Sequence, residues 1–377
     1  MRETREACDV QTCEVISTSA GDPLRAWARS LPKVELHRHL EGSLRLNTLT
    51  DIARDYDIDS PAYDSESLRP YVQVTTDWPD FPRFLEKFKV LRRFYTSKQI
   101  LQRITREAIS DAARDHVIHL ELRFNPLALA QAQEFAYQDV VAWVVEAAEE
   151  AQKTTGTRTV LLLQIPRNEP LNVAHEIVDL AIAHQGEFVR GIDLAGDEVH
   201  YPPERFIEPF ARAREAGLNI TAHAGEAVGP ESVRATMLAL HPQRIGHGIR
   251  SVENSEVVQM LRERDIALEI CPTSNLHTGA VRVLAEHPLI DLFSLGLNVT
   301  LNTDDPSVSA TTLSDEYVLA VREIGIDLPR IYRMLRYAVE ATFISPSEKR
   351  QLRSCVQTAL AAYPDAQEAF DGALAAR

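Results

Sequence analysis

The 377-residue sequence lacks the features of a secreted, membrane-spanning or disulfide-linked protein. No apolar run approaches the roughly 18 residues that a membrane span requires. The first six residues have none of the apolar core of a secretory signal peptide. Only four cysteines are present, and no two of them form a C-x-x-C pair. A reduced environment fits such a sequence best, so we expect a soluble cytoplasmic protein.

Positive charge is also scarce. Lys and Arg together number 40 against 55 Asp and Glu, which gives a formal net charge of −15. This excess of negative charge disfavours binding to a nucleic-acid backbone or to an anionic membrane. We therefore expect neither partner and predict a small-molecule substrate, while the oligomeric state stays open.

The sequence is organised as short β-branched, apolar runs that alternate with longer amphipathic stretches. The predicted strands are residues 34–40, 117–124, 159–165, 189–194, 219–223, 244–247, 267–271 and 298–303. Predicted helices between them include 139–153, 172–184, 203–216, 231–240 and 255–263. Such alternation implies parallel strands joined by right-handed crossovers. Eight units of this size predict an α/β fold, a TIM (β/α)₈ barrel. We expect one domain over residues 21–377, preceded by a disordered tail at residues 1–20. A doubly wound open sheet is the alternative, but its glycine-rich dinucleotide turn is absent.

The interval between the first two predicted strands is too long for a simple crossover, so we predict a helical insertion after strand 1. It contains an amphipathic helix at residues 80–88 with apolar residues at helical spacing. Because the insertion leaves the C-terminal end of strand 1, where barrel active sites open, it is a candidate lid. The side chains that would cover an apolar substrate pocket are Phe81, Phe84, Leu85 and Phe88. A helix that merely packs on the barrel edge is equally compatible with the pattern.

Polar residues that suit a metal lie at the ends of several predicted strands. His37 and His39 are two residues apart on strand 1, so both side chains point to the same face. His223 ends strand 5 and Asp304 follows strand 8. The C-terminal ends of barrel strands converge on one pocket, and three imidazoles with one carboxylate suit a catalytic zinc with an open position for water. We therefore predict His37, His39, His223 and Asp304 as the ligands of one Zn²⁺.

Other residues at the strand ends suit acid–base chemistry. Glu226, three residues after His223, is positioned to act as a proton donor, and His247 with Asp304 could hold and deprotonate the attacking water. His200 and His277 are possible pocket neighbours. A single strand histidine is more often a structural core residue, and that is how we interpret the remaining histidines: His116, His119, His175, His184, His241 and His287.

At these residues the sequence resembles the adenosine deaminase family of zinc-dependent amidohydrolase barrels. The matching blocks are KVELHRHLEG at 33–42, GIDLAGDE at 191–198, HAGE at 223–226, GHG at 246–248, EICPTSN at 269–275 and LNTDDP at 301–306. Each block is moderately specific, whereas the set in this order is strongly specific.

The resemblance implies a role for each matching residue. His37, His39, His223 and Asp304 would ligate zinc, Glu226 would protonate the purine N1, and His247 would orient the attacking hydroxide. Asp305 would bind N7, and the backbone amide of Gly196 would bind N3. Attack at C6 and loss of ammonia would convert a 6-aminopurine into a 6-oxopurine, which indicates adenosine or 2′-deoxyadenosine as substrate.

One residue departs from the pattern of the adenosine-specific members. These usually carry Asp, which contacts the sugar hydroxyl, at the position of Glu41, whereas relatives that act on adenine or on modified adenosines often carry Glu. The Phe81–Phe88 stretch, in contrast, resembles a segment of adenosine deaminases. Adenine, 6-aminodeoxyfutalosine and methylthioadenosine therefore remain alternative substrates.

Two rival functions were weighed against these residues. Binuclear amidohydrolases usually bridge two metals with a carboxylated lysine at the end of strand 4, and residues 192–198 contain no lysine. A non-catalytic binding protein would be expected to lose a ligand or Glu226, and all of them are present. Both rivals are disfavoured.

Overall fold

The computed structural model, which describes residues 22–75 and 79–372, contains eight parallel strands that are hydrogen-bonded in sequence order. The strands are β1 Lys33–His39, β2 Val117–Phe124, β3 Arg158–Pro166, β4 Val189–Ala195, β5 Asn219–Ala224, β6 Arg244–His247, β7 Ala267–Ile270 and β8 Asn298–Leu301. Each lies within two residues of its predicted limits. The consecutive order confirms the predicted barrel, and the doubly wound alternative is wrong because such a sheet needs a reversal of strand order.

The segment after β8 closes the barrel against β1. The His39 amide donates to the carbonyl of Asp304 over 2.8 Å, and the Asp304 amide donates to the carbonyl of His37 over 2.9 Å. The side-chain oxygen of Asn302 also accepts a hydrogen bond from the Leu36 amide at 2.8 Å. These bonds bring Asp304, which is far from β1 in sequence, directly beside His37 and His39.

Helices cover the strands and account for the long interval after β1. In chain order they are α1 Pro23–Ser30, α2 Leu46–Asp55, α3 Ser65–Val72, α4 Phe81–Leu91, α5 Lys98–Arg114, α6 Pro126–Ala130, α7 Tyr137–Thr155, α8 Leu171–Ala183, α9 Ile207–Glu215, α10 Pro230–Ala239, α11 Ser255–Glu263, α12 Pro272–His277, α13 Leu289–Ser294, α14 Leu313–Leu319, α15 Leu328–Ala341, α16 Pro346–Leu360 and α17 Ala366–Asp371. Helices α2 to α5 lie between β1 and β2. The helix predicted at 203–216 begins instead with a 3₁₀ turn, Pro203–Phe206, and becomes α-helical only at Ile207.

In the described part of the chain, no helix is long and apolar enough to cross a membrane. The predicted disordered tail, residues 1–20, lies outside the described residues.

The barrel interior is not purely apolar. Arg123, Arg244, Glu121 and Glu269 are fully buried between the strands. Arg244 pairs with Glu121 at 2.7 Å and with Glu269 at 2.5 Å. Buried charges are costly unless they are paired and hydrogen-bonded, and this network lies directly beneath the predicted site.

Candidate active site

The four predicted metal ligands converge at the C-terminal end of the barrel. The Nε2 atoms of His39 and His223 are 3.3 Å apart. Asp304 Oδ1 lies 3.1 Å from Nε2 of His37 and 3.1 Å from Nε2 of His39. The structure therefore brings together, from β1, β5 and the end of β8, residues that are far apart in sequence.

Each of the three imidazoles has Nε2 at the cluster and makes a hydrogen bond through Nδ1 to a side chain on the opposite side of the ring. His37 Nδ1 donates to Glu269 at 2.7 Å, and His223 Nδ1 donates to Asp193 at 3.1 Å. His39 Nδ1 donates to the side-chain oxygen of Gln164 at 2.9 Å. Because Nδ1 is the donor in each ring, Nε2 is the nitrogen of all three rings that is left to bind a metal ion. Burial lowers the pKa of His223 to about 3, so this ring is neutral near pH 7.

Arg123 links two of these supporting carboxylates. Its guanidinium lies 2.9 Å from Glu269 and 3.2 Å from Asp193, and all three side chains are fully buried. The sequence patterns indicate no role for Asp193, Glu269, Gln164 or Arg123. Asp193 and Glu269 do fall within two of the blocks that carry the family resemblance, which is the signal that could have identified them.

The convergence of lone pairs calls for a cation. His37 Nε2 is buried and has no hydrogen-bond partner among the described residues. Three pairs among these ligand atoms lie 3.1–3.3 Å apart, and their lone pairs would repel one another without a positive charge between them. Tetrahedral zinc ligands at ~2.0–2.1 Å from the ion would be roughly 3.3 Å apart. The cluster thus has the composition and the geometry of a metal centre.

Glu226 and His247 lie beside this cluster. His247 Nε2 is 3.4 Å from Glu226 Oε2 and 3.9 Å from Asp304 Oδ2. Glu226 Oε1 accepts a hydrogen bond from the Thr278 hydroxyl at 3.0 Å. Burial raises the pKa of the Glu226 carboxyl above its ordinary value, although the neighbouring His247 opposes the shift. A raised pKa favours the protonated form of the carboxyl, which is the form that can donate a proton.

A chain of hydrogen bonds sets the proton position on His247. The Leu289 amide donates to Nδ1 of His287 at 3.1 Å, so the His287 proton is on Nε2, which lies 3.3 Å from the Asn275 oxygen. The Asn275 amide group then donates to Nδ1 of His247 at 3.1 Å. The proton of His247 is therefore on Nε2, so in this tautomer the nitrogen is a potential hydrogen-bond donor and has no lone pair for a metal. His287, which we predicted to be structural, contributes to the site through this chain.

Backbone geometry at the site is unusual for non-glycine residues. His247 has a φ of 59° and Asp304 a φ of 66°, both in the left-handed region. Such conformations cost free energy and persist where the surrounding structure requires them, often at active sites. Gly42 is needed for a different reason, since a Cβ there would lie 1.8 Å from Asp305 Oδ1.

The cluster forms the floor of a pocket of about 390 Å³. Predicted residues that line it are His39, Glu41, Phe84, Phe88, Gly196, His223, Glu226, His247, Asp304 and Asp305. Phe84 and Phe88 on α4 pack against each other with ring centres 5.9 Å apart. Phe81 and Leu85 line the same pocket and a larger outer cleft of about 720 Å³. The insertion therefore faces the pocket with its aromatic side.

Glu41 lies in the pocket wall, and only one of its two carboxylate oxygens accepts a hydrogen bond from the described residues. Oε1 accepts a hydrogen bond from the Asn125 amide at 2.6 Å. Oε2 is buried and has no hydrogen-bond partner within residues 22–75 and 79–372. Asp305 Oδ1 is likewise buried and unpartnered in this part of the chain. Both residues line the pocket. Burial and the neighbouring Asp304 raise the pKa of the Asp305 carboxyl well above its ordinary value, which favours its protonated form, a hydrogen-bond donor.

The two histidines that we predicted as pocket neighbours differ in position. His200 lines the outer cleft, where its Nδ1 lies 2.8 Å from Asp197 and its side chain is largely exposed. His277, on α12, contacts the Ser309 hydroxyl at 3.3 Å.

The chain is similar to known proteins over most of its length. The adenosine deaminase family model matches residues 32–359. The adenosine deaminase of Salmonella typhi is 37% identical over 330 residues, which cover 88% of this chain and 99% of that protein. An adenine deaminase structure from Arthrobacter aurescens has a TM-score of 0.81 at 31% identity and covers 87% of this chain and 98% of its own. A zinc-bound amidohydrolase from Burkholderia ambifaria has a TM-score of 0.81 at 26% identity, with 96% and 97% covered. The chain therefore belongs to the adenosine deaminase family.

Proposed function

We propose that this protein is a hydrolase with one zinc ion per chain that converts adenosine and 2′-deoxyadenosine into inosine and 2′-deoxyinosine with release of ammonia. The observation that carries the proposal is the convergence of three imidazole lone pairs and Asp304 Oδ1 beside a buried, protonatable Glu226. His37, His39, His223 and Asp304 would hold the zinc. A bound zinc ion would supply hydroxide at neutral pH by lowering the pKa of its water to about 7.

The residues beside the metal would then carry out the proton transfers. Glu226 donates its proton to N1 of the purine, which makes C6 electrophilic. It then takes the proton of the hydroxyl group added at C6 and passes it to the departing amino group, which leaves as ammonia. The proton that Asp304 takes from the attacking water later restores the protonated form of Glu226. His247, whose proton is on Nε2, donates a hydrogen bond that orients the attacking oxygen. Asp304 accepts the proton of the attacking water, because its second oxygen lies on the side of His247, 3.9 Å away. Preorganised groups of this kind stabilise the charge that develops at C6.

The pocket wall would orient the substrate. Asp305, whose pKa is raised by burial, donates a hydrogen bond to N7 in its protonated form. The backbone amide of Gly196 donates to N3, and the oxygen of Glu41 that has no partner accepts from the sugar hydroxyl. His39 borders the base, and Phe84 and Phe88 cover its apolar side. The pocket volume of about 390 Å³ is large enough for a nucleoside.

A second candidate substrate is adenine or a modified adenosine. Glu41 supports it, because the extra methylene relative to Asp moves the carboxylate toward the sugar end of the pocket. The structural similarity to an adenine deaminase points in the same direction. The two substrate classes share the reaction at C6 and differ only at that end.

A turnover screen with metal analysis tests the proposal. Adenosine, 2′-deoxyadenosine, adenine, methylthioadenosine and 6-aminodeoxyfutalosine would be compared by kcat/KM from the fall in adenine absorbance. We expect about one zinc per chain, activity that is lost with a chelator and restored by zinc, and adenosine or 2′-deoxyadenosine as the best substrate. Full activity of metal-depleted protein would refute the mechanism, and a preference for adenine would favour the second candidate.

A further inference from the structure

Glu226 is carried by a loop between β5 and α10 that is held by a carboxylate from another loop. Glu198, in the loop after β4, accepts hydrogen bonds from four successive backbone amides of residues 225–228. Its Oε1 accepts from Gly225 at 2.6 Å, and its Oε2 accepts from Glu226 at 3.3 Å, Ala227 at 2.9 Å and Val228 at 3.1 Å.

The local backbone allows these amides to converge on one carboxylate. Gly225 has a φ of 72°, and a Cβ at this position would lie 2.5 Å from a methyl group of Val233. The Gly225 carbonyl also accepts from the Arg250 amide at 3.1 Å, which ties the loop to the next strand end. Successive amides in such a turn form an anion-binding concavity. Here the anion is a side chain of the protein.

Glu198 can therefore act only through the loop. It is 7% exposed, and both of its oxygens are engaged by backbone amides. Glu198 lines the pocket, but both of its oxygens already accept hydrogen bonds from the loop. Glu41 differs, because one of its oxygens has no partner among the described residues. Hydrogen bonds to a charged carboxylate are stronger than neutral ones, so removing this charge should loosen the loop.

Thr278 holds the side chain of Glu226 from the opposite side. Its hydroxyl donates to Glu226 Oε1 at 3.0 Å and is itself buried just after α12. This bond occupies Oε1 and leaves Oε2, on the side of His247, as the oxygen that faces the substrate. Glu226 is thus held at its backbone by Glu198 and at its carboxyl group by Thr278.

We propose that Glu198 and Thr278 are positioning residues that together hold the Glu226 carboxyl in place for proton transfer to the substrate. The inference depends on the proposed function, because it gives Glu226 the role of proton donor. A general acid works only when it is held within hydrogen-bond reach of the atom that receives the proton. Both residues should therefore affect kcat more than substrate binding.

The test uses the full chain and six variants, one of which is Glu226→Gln alone. Glu198→Gln keeps the size but removes the charge, and Thr278→Val removes the hydroxyl while Thr278→Ser retains it. Glu231→Gln, on α10 next to the loop, is the matched control for the loss of one carboxylate. Thr278→Val is also combined with Glu226→Gln. The measurements are kcat, KM, zinc content, thermal unfolding and backbone amide exchange of residues 225–228.

We expect Glu198→Gln and Thr278→Val each to lower kcat by roughly 10- to 100-fold, as the loss of a hydrogen bond that positions the proton donor predicts. KM should change less than about threefold, zinc content should stay the same, and Thr278→Ser should restore most of the rate. Glu198→Gln alone should accelerate exchange of the amides in the loop. In the Glu226→Gln background, Thr278→Val should cause little further loss, since interacting residues are not additive.

Several results would overturn the inference. One is an unchanged kcat in Glu198→Gln together with unchanged amide exchange. Another is an equal loss from Thr278→Val with and without Glu226→Gln, because that would mean that Thr278 acts independently of Glu226. Inactivity of the unmodified protein on every purine would instead refute the proposed function, and the exchange measurement would still decide whether Glu198 holds the loop.

Discussion

The replacement Asp193→Asn tests whether the residues that hydrogen-bond to Nδ1 of the predicted histidine ligands control metal binding. Asp193 is fully buried; one of its oxygens accepts from His223 Nδ1 at 3.1 Å, and the other lies 3.2 Å from Arg123. An asparagine has only one accepting oxygen for these two donors. If that oxygen faces His223, the amide group faces the Arg123 guanidinium. If the amide group faces His223, it favours the tautomer whose lone pair is on Nδ1, which leaves a proton where the zinc would bind.

Either arrangement should weaken zinc binding. Loss of a partner behind a metal-binding histidine typically costs about 10- to 100-fold in affinity, or about 1.4–2.7 kcal/mol. Folding should lose about 1–3 kcal/mol, the cost of a buried group left without a partner. It should not lose more, because Arg123 keeps its other pair with Glu269 at 2.9 Å.

Zinc affinity is measured by competition with chelators of graded strength, and thermal unfolding is followed in parallel. Asp179→Asn is the matched control, because Asp179 pairs with Arg212 on the surface and is remote from the ligands. Asp193→Asn should recover much of its kcat at saturating zinc. Unchanged zinc affinity in Asp193→Asn would refute the idea that this carboxylate sets the tautomer of His223.

Three further predictions follow from the site and its surroundings. Glu226→Gln should retain zinc but lose roughly 10²- to 10⁴-fold in kcat in a steady-state assay, as expected when a general acid is removed; normal turnover would exclude its role as proton donor. Gly42→Ala should destabilise the fold by about 1–3 kcal/mol in denaturant unfolding, since its methyl group would overlap Asp305. Gly186→Ala is the control and should be nearly neutral, because a Cβ added there would have no atom beyond its chain neighbours nearer than 3.9 Å. Burial raises the pKa of Glu316 to about 7, so the native state binds the proton more tightly than the unfolded state and stability should fall as pH rises from about 4.5 to about 7. By linkage this loss amounts to about 3 kcal/mol between pH 4.5 and pH 8, and Glu316→Gln should abolish it; an unchanged pH profile of unfolding would show that Glu316 does not titrate as described.

Much of the fold was predictable because it depends on local patterns. Strands buried on both faces appear as short apolar runs, and the helices between them show helical periodicity. The limits of β2 and β6 were predicted without error. The helix at 203–216 was not, because its first turn is 3₁₀ and the apolar periodicity of that segment does not distinguish the two helix types.

The candidate ligands were predictable for the same reason, since they lie at strand ends and barrel topology brings strand ends together. The supporting residues were not. Arg123 lies on β2, Gln164 lies on β3, and His287 follows α12. Nothing in the local sequence distinguishes these residues from ordinary core residues. Their function depends on which atoms they face across the barrel.

The sequence by itself determined the class of fold, the family and the set of residues from which a metal centre can be built. Those properties follow from the order of apolar runs and from residue types at their ends. Only the tertiary structure decided which ring nitrogen of each histidine faces the centre, which oxygen of Glu226 is engaged by Thr278, and that Glu198 is occupied by the loop rather than available to a substrate. The physical reason is that protonation and orientation are set by hydrogen-bond partners far away in the chain, and such partners exist only once the barrel has closed.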